Sequence, residues 1–320
     1  MSVKNQVLSE LLRSNNYISG EQLAKELEVS RNAIWKAIKK LQEEGYKIEA
    51  SGKKGYRLTE ELNIISEPSI KQYIRGSFIP STIEIHKEIP STNARAKVLA
   101  EGGAPHGAII ISDSQSMGRG RLGRSFFSPA GTGIYMSIVL RPELTSEEAP
   151  QLTSLAAVAV SEAIELLAKV PIKIKWVNDL FLNKKKICGI LTEASLDFES
   201  GRINYIILGI GINVGRINFP EELKEIATSI ENETSNTISK NQLIAEILNS
   251  LNRLLPEMKS GKYLEDVRKR SLVIGQSITV LKGSSTYTAK ALAIDNKGAL
   301  IVEGPKGIET LSSGEISIRL

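Results

Sequence analysis

Apolar residues recur at helical spacing from the start of the chain: Val7, Leu8, Leu11 and Leu12 mark one face of a first helix. Ser19-Gly20-Glu21-Gln22 has capping-box spacing and opens a short second helix carrying Leu23 and Leu27. Ser30 caps a third, in which Ala33, Ile34, Ala37, Ile38 and Leu41 form the inward stripe and Gly45 marks the end. The period then changes to alternation. Residues 46–50 and 56–59 read as strands joined by Ser51-Gly52-Lys53-Lys54-Gly55, a hairpin with a basic tip. Three short helices and a hairpin make a winged helix-turn-helix pattern over residues 1–62, with 60–68 as a linker.

Between residues 63 and 270 the pattern mixes strands and helices. Residues 83–86, 108–112, 134–140, 172–176, 180–183, 187–193 and 203–210 read as strands. Ser91 or Thr92 caps a helix running to Ala100, which Gly102-Gly103 stops. The most apolar stretch, 152–170, is interrupted by Ser161, Glu162 and Glu165, so it reads as a packed helix and not a membrane span. Helices do not separate the strands regularly, which argues for an α+β fold with a mixed sheet. From 271 to 320, turn dipeptides at Ile274-Gly275, Lys282-Gly283, Lys297-Gly298, Gly304-Pro305 and Ser313-Gly314 punctuate short strands, the pattern of a small β-barrel.

Composition narrows the chemistry. With one cysteine, Cys188, and two histidines, His86 and His106, a disulfide framework and a four-cysteine metal site are excluded, and no metal site is expected. The N-terminus lacks an apolar signal segment, so a cytoplasmic location is the default expectation. The net charge of +5 is local. Residues 31–58 hold Arg31, Lys36, Lys39, Lys40, Lys47, Lys53, Lys54 and Arg57 against Glu43, Glu44 and Glu49, an excess equal to that of the whole chain. A helix entering a DNA groove needs long polar side chains outward and cations near phosphates. The candidate DNA contacts are therefore Ser30, Arg31, Asn32, Trp35, Lys36, Lys39 and Lys40 on the third helix and Lys53 and Lys54 on the wing. The competing reading is a solvated helix pair, with Trp35 as a packing aromatic.

The most unusual stretch is Gly118-Arg119-Gly120-Arg121-Leu122-Gly123-Arg124. It fits G-x-G-x-x-G formally, but arginines stand where a backbone would approach a pyrophosphate, and no helix pattern follows. Glycine flexibility and guanidinium forks suit a loop that closes over a phosphate-bearing ligand. A surface loop and an Arg-Gly nucleic-acid segment fit the same residues. Three further clusters favour the ligand reading together, although each has a plain structural account: Ser91-Thr92-Asn93 at a helix start, Lys175-Trp176-Val177-Asn178-Asp179 at a strand end, and Gly209-Ile210-Gly211-Ile212-Asn213 closing an apolar strand.

These segments, with Gln115 and Lys186-Ile187-Cys188-Gly189-Ile190-Leu191, stand in the order found in biotin protein ligases, which the whole chain resembles. The basic module in front resembles the bifunctional form that also represses the biotin operon. The resemblance implies a class II synthetase-like central domain, an SH3-like C-terminal domain and a dimer when liganded. It implies that Ser91, Thr92, Asn93 and Gln115 hold the biotin head group, and that Arg119, Gly120 and Arg121 close over biotin and the adenylate phosphate. Lys186 would meet the carboxylate and acyl-phosphate. Arg124, Phe126, Lys175, Asn178 and Asn213 would serve the nucleotide, and Asp179 the attack by the acceptor lysine. The catalytic set is thus Arg121, Lys186 and Asp179. Biotin and ATP are the implied substrates, with Mg2+ accompanying ATP. Operator DNA and the biotin carboxyl carrier domains of acetyl-CoA carboxylase and pyruvate carboxylase are the implied partners, with no membrane. Val177 and Phe126 depart from the family's usual proline and tryptophan. A non-catalytic ligand-sensing repressor and a lipoate-type ligase remain the alternatives, and Arg319 reads equally as a site residue or a surface terminus.

Overall fold

The computed structural model describes residues 2–60, 64–76, 80–197, 202–282, 285–312 and 315–317; Arg319 lies outside them. Two compact units emerge, residues 1–75 with 239–246, and residues 76–238 with 247–320.

In the first unit, α1 (Val3–Arg13), α2 (Gly20–Glu26) and α3 (Arg31–Glu43) precede a hairpin of β1 (Lys47–Ser51) and β2 (Gly55–Glu60). The caps form as their spacing predicts. Ser19 Oγ accepts from the Gln22 N–H at 3.0 Å and Ser30 Oγ from that of Ala33 at 3.2 Å. Only half of the capping box is made, because Gln22 Nε2 donates outward to Glu26 Oε1 at 2.8 Å. Val7, Leu8, Leu11, Leu23, Ile34, Ile38, Leu41 and Ile48 pack into one core. Gly55 is required at its position: its φ is +99°, and a Cβ there would lie 2.1 Å from the Ile18 carbonyl oxygen. The stretch read as a linker runs into a short helix, α4 (Glu67–Lys71), whose Pro68, Ser69 and Ile70 are buried. Asn241, buried in the same unit, ties it down: its Oδ1 accepts from Ser66 N and its Nδ2 donates to Ile64 O.

The second unit is built on a seven-stranded mixed sheet. Its elements are β3 (Thr82–Ile89), α5 (Thr92–Glu101), β4 (Ala108–Gln115), β5 (Gly133–Leu140), α6 (Ala149–Ala168), β6 (Lys173–Lys175), β7 (Asp179–Leu182), β8 (Lys185–Leu196) and β9 (Ile203–Asn213). The strand order is β3-β4-β5-β9-β8-β7-β6, parallel only between β3 and β4. One parallel pair needs one crossover, which α5 supplies. Ala96 and Ala100 of α5 pack on Ile110, Val139 and Ile207, which places the helix on one face of the sheet. The 20-residue α6 is long and apolar enough to cross a membrane, but its residues are largely buried within the unit.

After β9 come α7 (Ile230–Glu233), α8 (Lys240–Leu254) and α9 (Tyr263–Arg270), then β10 (Ser277–Lys282), β11 (Ser285–Ile294), β12 (Leu300–Gly304), β13 (Gly307–Leu311) and β14 (Glu315–Ser317). These last strands make an antiparallel sheet of order β13-β12-β11-β10-β14, the small β domain expected at the C-terminus. It is fastened to the mixed sheet's unit. Arg268 donates to Ile294 O, Asp295 O and Asn296 Oδ1, and the buried Trp176 indole donates to Gly298 O at 2.9 Å.

Candidate functional site

On the first unit, α3 separates its faces cleanly. Ile34, Ala37, Ile38 and Leu41 are buried, while Arg31, Asn32, Trp35, Lys36, Lys39 and Lys40 are exposed. Trp35 is 51% exposed, and Lys39 Nζ lies 6.0 Å from its ring centroid. One residue on from Ile34, it is turned about 100° off the stripe, so it does not pack inward. Lys53 and Lys54 are exposed at the wing tip. Behind them, Tyr17 Oη and Arg57 Nη2 both donate to Glu49 Oε2, at 2.7 and 2.8 Å, and the Arg57 guanidinium stacks 4.8 Å from the Tyr17 ring centroid. The Tyr17 hydrogen bond, then that of Arg57, holds the Glu49 carboxyl below its ordinary range.

On the second unit, register brings the sequence clusters together. Tyr135 faces Gly211, Gly211 faces Gly189, Gly189 faces Asp179 and Asp179 faces Lys175, one row across five strands. The next row is Ser137, Gly209 and Leu191. Residues paired across a ladder share a face, so these rows floor one site. The ladder is regular through Gly209 and Gly211, and a bulge does not account for them. They are bare because neighbours sit on them: a Cβ on Gly209 would meet Asn93 Oδ1 at 2.1 Å, and one on Gly211 the Phe126 ring at 2.7 Å.

The start of α5 and the end of β4 supply a polar lip. Ser91 caps the helix through Ala94 N, and Gln115 Oε1 accepts from Thr92 N at 2.8 Å and lies 3.1 Å from Thr92 Oγ1. Gln115 Nε2 donates to Ser128 Oγ at 3.1 Å. Ser137 Oγ lies 2.8 Å from Thr92 Oγ1 and 2.6 Å from Asn93 Oδ1. Tyr135 lines the same cavity, its phenol pushed up to about 12 by burial and therefore neutral.

Lys186 reaches this face through an irregularity. Leu180 pairs with Cys188 but Phe181 with Lys186, so one extra residue bulges in β8. Lys186 Nζ then lies 2.6 Å from Asp179 Oδ1. The sequence places no acid near Lys186; the hairpin provides one. Lys185 turns away and donates to Lys224 O at 2.6 Å, and Lys184 is exposed.

The Arg-Gly loop is more ordered than its glycines suggest. Gly120 N donates to Arg124 O at 2.7 Å and Phe126 N to Gly118 O at 2.9 Å, around a single turn in which Leu122 has φ 54° and is 77% exposed. Arg121 Nη1 donates to Asn178 Oδ1 at 3.0 Å, and Asn178 Nδ2 to Ile190 O, so loop, turn and β8 are linked.

Two cavities result. The first is lined by Ser91, Thr92, Asn93, Gln115, Arg119 and the glycine floor. The second is lined by Arg124, Lys175, Trp176, Asp179 and, from β14, Ile316. Gly120, Arg121, Phe126, Asn178 and Lys186 line both. Asn213, expected at the nucleotide, lines neither cavity; it is buried and donates from Nδ2 to Thr228 O at 3.0 Å.

Residues 3–57 match the family described as an HTH domain, 85–213 the biotin/lipoate A/B protein ligase family, and 273–319 the biotin protein ligase C-terminal domain. Bifunctional ligase/repressor BirA of Bacillus subtilis is 37% identical over 309 residues, 95% of this chain and 94% of that protein. The chain belongs to the bifunctional biotin ligase/repressor family. Its Escherichia coli member is 29% identical over 97% of this chain and 95% of that one. Among solved structures, biotin protein ligase from Aquifex aeolicus in complex with biotin and ATP is 30% identical with a TM-score of 0.64, covering 75% of this chain and 99% of that one.

Within this family's pattern the departure at Phe126 has a place. Phe126 stands in the wall common to both cavities, edge-on to Tyr135 at 6.3 Å and against the bare backbone of Gly211. Trp176, within the Lys-Trp-x-Asn-Asp motif, presents its indole N–H to the C-terminal sheet domain. Sequence reading missed Tyr135, Ser137, Ser128 and Ile316. Tyr135 and Ser137 had a signal, two polar groups at period two in the apolar run 133–140. The others had none.

Proposed function

We propose that this protein activates biotin with ATP to biotinyl-5′-AMP, transfers biotin to a lysine of a carrier protein, and binds operator DNA through its first unit as a biotin-responsive repressor. The observation that carries the reading is the pair of adjoining cavities with a cationic common wall. A biotin carboxylate oxygen attacks the α-phosphorus of ATP and pyrophosphate leaves. Both reacting groups are anionic, so the junction needs cations, and Lys186 and Arg121 stand there. The polar lip suits a cyclic urea better than a dithiolane, which has no N–H or C=O to pair. In our reading Thr92 and Gln115 meet that ring, with Ser91 and Asn93 framing it, and Arg119, Gly120 and Arg121 cover the adenylate against water. Arg124, Phe126, Lys175 and Asn178 serve the nucleotide.

In the second step the acceptor amine attacks the acyl carbon, AMP leaves and the amine loses a proton. In our reading Asp179, 2.6 Å from Lys186, is the carboxylate that helps organise this attack. Mg2+ requires oxygen ligands and keeps water readily. Asp179 is the one acid among the described residues lining these cavities and is paired with Lys186, which fits a cation held chiefly by phosphate and water. The acceptors we infer are biotin carboxyl carrier domains of acetyl-CoA carboxylase and pyruvate carboxylase, the working form a liganded homodimer, and the location the cytoplasm. Pyrophosphate release measured with biotin and with lipoate tests the reading. Release with biotin alone is expected; release with neither makes the protein a ligand-sensing repressor, and release with lipoate alone a lipoate ligase.

A further inference from the structure

Glu193 is exposed on β8 and has no part in the chemistry above, yet its Oε2 accepts from Asn93 Nδ2 at 2.6 Å. Asn93 is buried, and its Nδ2 also lies 3.4 Å from Leu191 O. The carboxylate fixes which way the amide points, since a flipped amide would set two acceptors against each other. Asn93 Oδ1 then faces Ser137 Oγ at 2.6 Å. A carbonyl only accepts, so Ser137 gives its single proton to Asn93. Thr92 Oγ1, 2.8 Å from Ser137 Oγ and 3.1 Å from Gln115 Oε1, has an acceptor for its own proton in each of these two protein atoms. Its lone pairs are then left for the cavity, where Thr92 acts as an acceptor. Gln115 is oriented likewise: Oε1 takes the Thr92 N–H, Nε2 gives one proton to Ser128, and its second N–H remains as a donor.

We propose that Glu193 is a positioning residue that, through Asn93 and Ser137, sets the donor and acceptor polarity of the lip: Thr92 accepting, beside Gln115 donating. The inference rests on the biotin reading, because a cyclic urea presents N–H and C=O side by side to such a pair.

The test compares wild type, Glu193→Ala and Glu193→Gln in steady-state pyrophosphate release, with biotin and ATP varied separately. Ala removes the acceptor; Gln retains a carbonyl oxygen that takes the Asn93 N–H. Losing one oriented hydrogen bond predicts a KM for biotin raised about fivefold in the Ala variant. The KM for ATP and kcat should hold, and Gln should restore the wild-type KM for biotin. An Ala variant equal to wild type overturns the proposal. So does a Gln variant as impaired as Ala, or a rise in both KM values together. If wild type releases no pyrophosphate with biotin, the ligase reading itself has failed, an outcome separate from these.

Discussion

Replacing Lys186 by Gln removes a cation from the wall common to both cavities. Its Nζ is 2.6 Å from Asp179, and the two side chains are 32% and 19% exposed. Lys186 is partly open to water, but Asp179 Oδ1 itself is buried and has no other hydrogen-bond partner among the described residues, so losing the ammonium should cost about 1–3 kcal/mol of stability. The ligand should feel the loss as well. One charged hydrogen bond to a carboxylate or acyl-phosphate contributes about 1.5–3 kcal/mol. At about 1.4 kcal/mol per tenfold, that is roughly a 10- to 150-fold rise in the KM for biotin or fall in the adenylation rate. The neighbours provide the control. Lys185 gives its ammonium to Lys224 O outside both cavities and Lys184 is exposed, so Gln at either should change the rate less than about twofold. Biotin-dependent pyrophosphate release reads the catalytic effect and urea midpoints the stability. Equal rate effects at the three lysines would refute the placement. So would a Lys186→Gln variant that loses stability with its kinetics intact.

Charge reversal at Lys53 and Lys54 should weaken operator binding at low salt and flatten its salt dependence, as mobility shifts across a salt series would register; an unchanged slope removes the wing from the phosphate contacts. Arg121→Gly breaks the link to Asn178 and should release biotinyl-adenylate within a single turnover, detected as unspecific labelling of added proteins; full retention would reduce the loop to a surface feature. Glu84 of β3 pairs with Arg95 of α5, its carboxyl held low first by the Arg95 hydrogen bond and then by His86. The stability it supplies is fully present above the ordinary carboxylate value of 4.5 and is lost as pH falls through the lowered folded value. Urea midpoints of Glu84→Gln should therefore lie below wild type near neutrality and converge with it in acid; parallel curves would show that the pair does not carry the acid dependence.

What the sequence determined by itself was the set of local devices and the chemistry of the segments. Ser19, Ser30 and Ser91 cap helices because a cap reaches only three residues ahead, and the α3 stripe follows from helical period. The basic wing tip and the α+β class were legible in the same way, and so is the α8 stripe of Leu243, Ile244, Ile247, Leu248 and Leu251. The order of motifs along the chain is enough to point to the family. Tertiary structure alone decided which groups meet. Glu193 is 100 residues from Asn93, Ser137 44 from it, and Trp176 122 from Gly298. Period and capping carry no information across such gaps; strand order and register do. A bulge turned Lys186 toward Asp179, and the close approach of Asn93 and Phe126, not a turn, explains why Gly209 and Gly211 are bare.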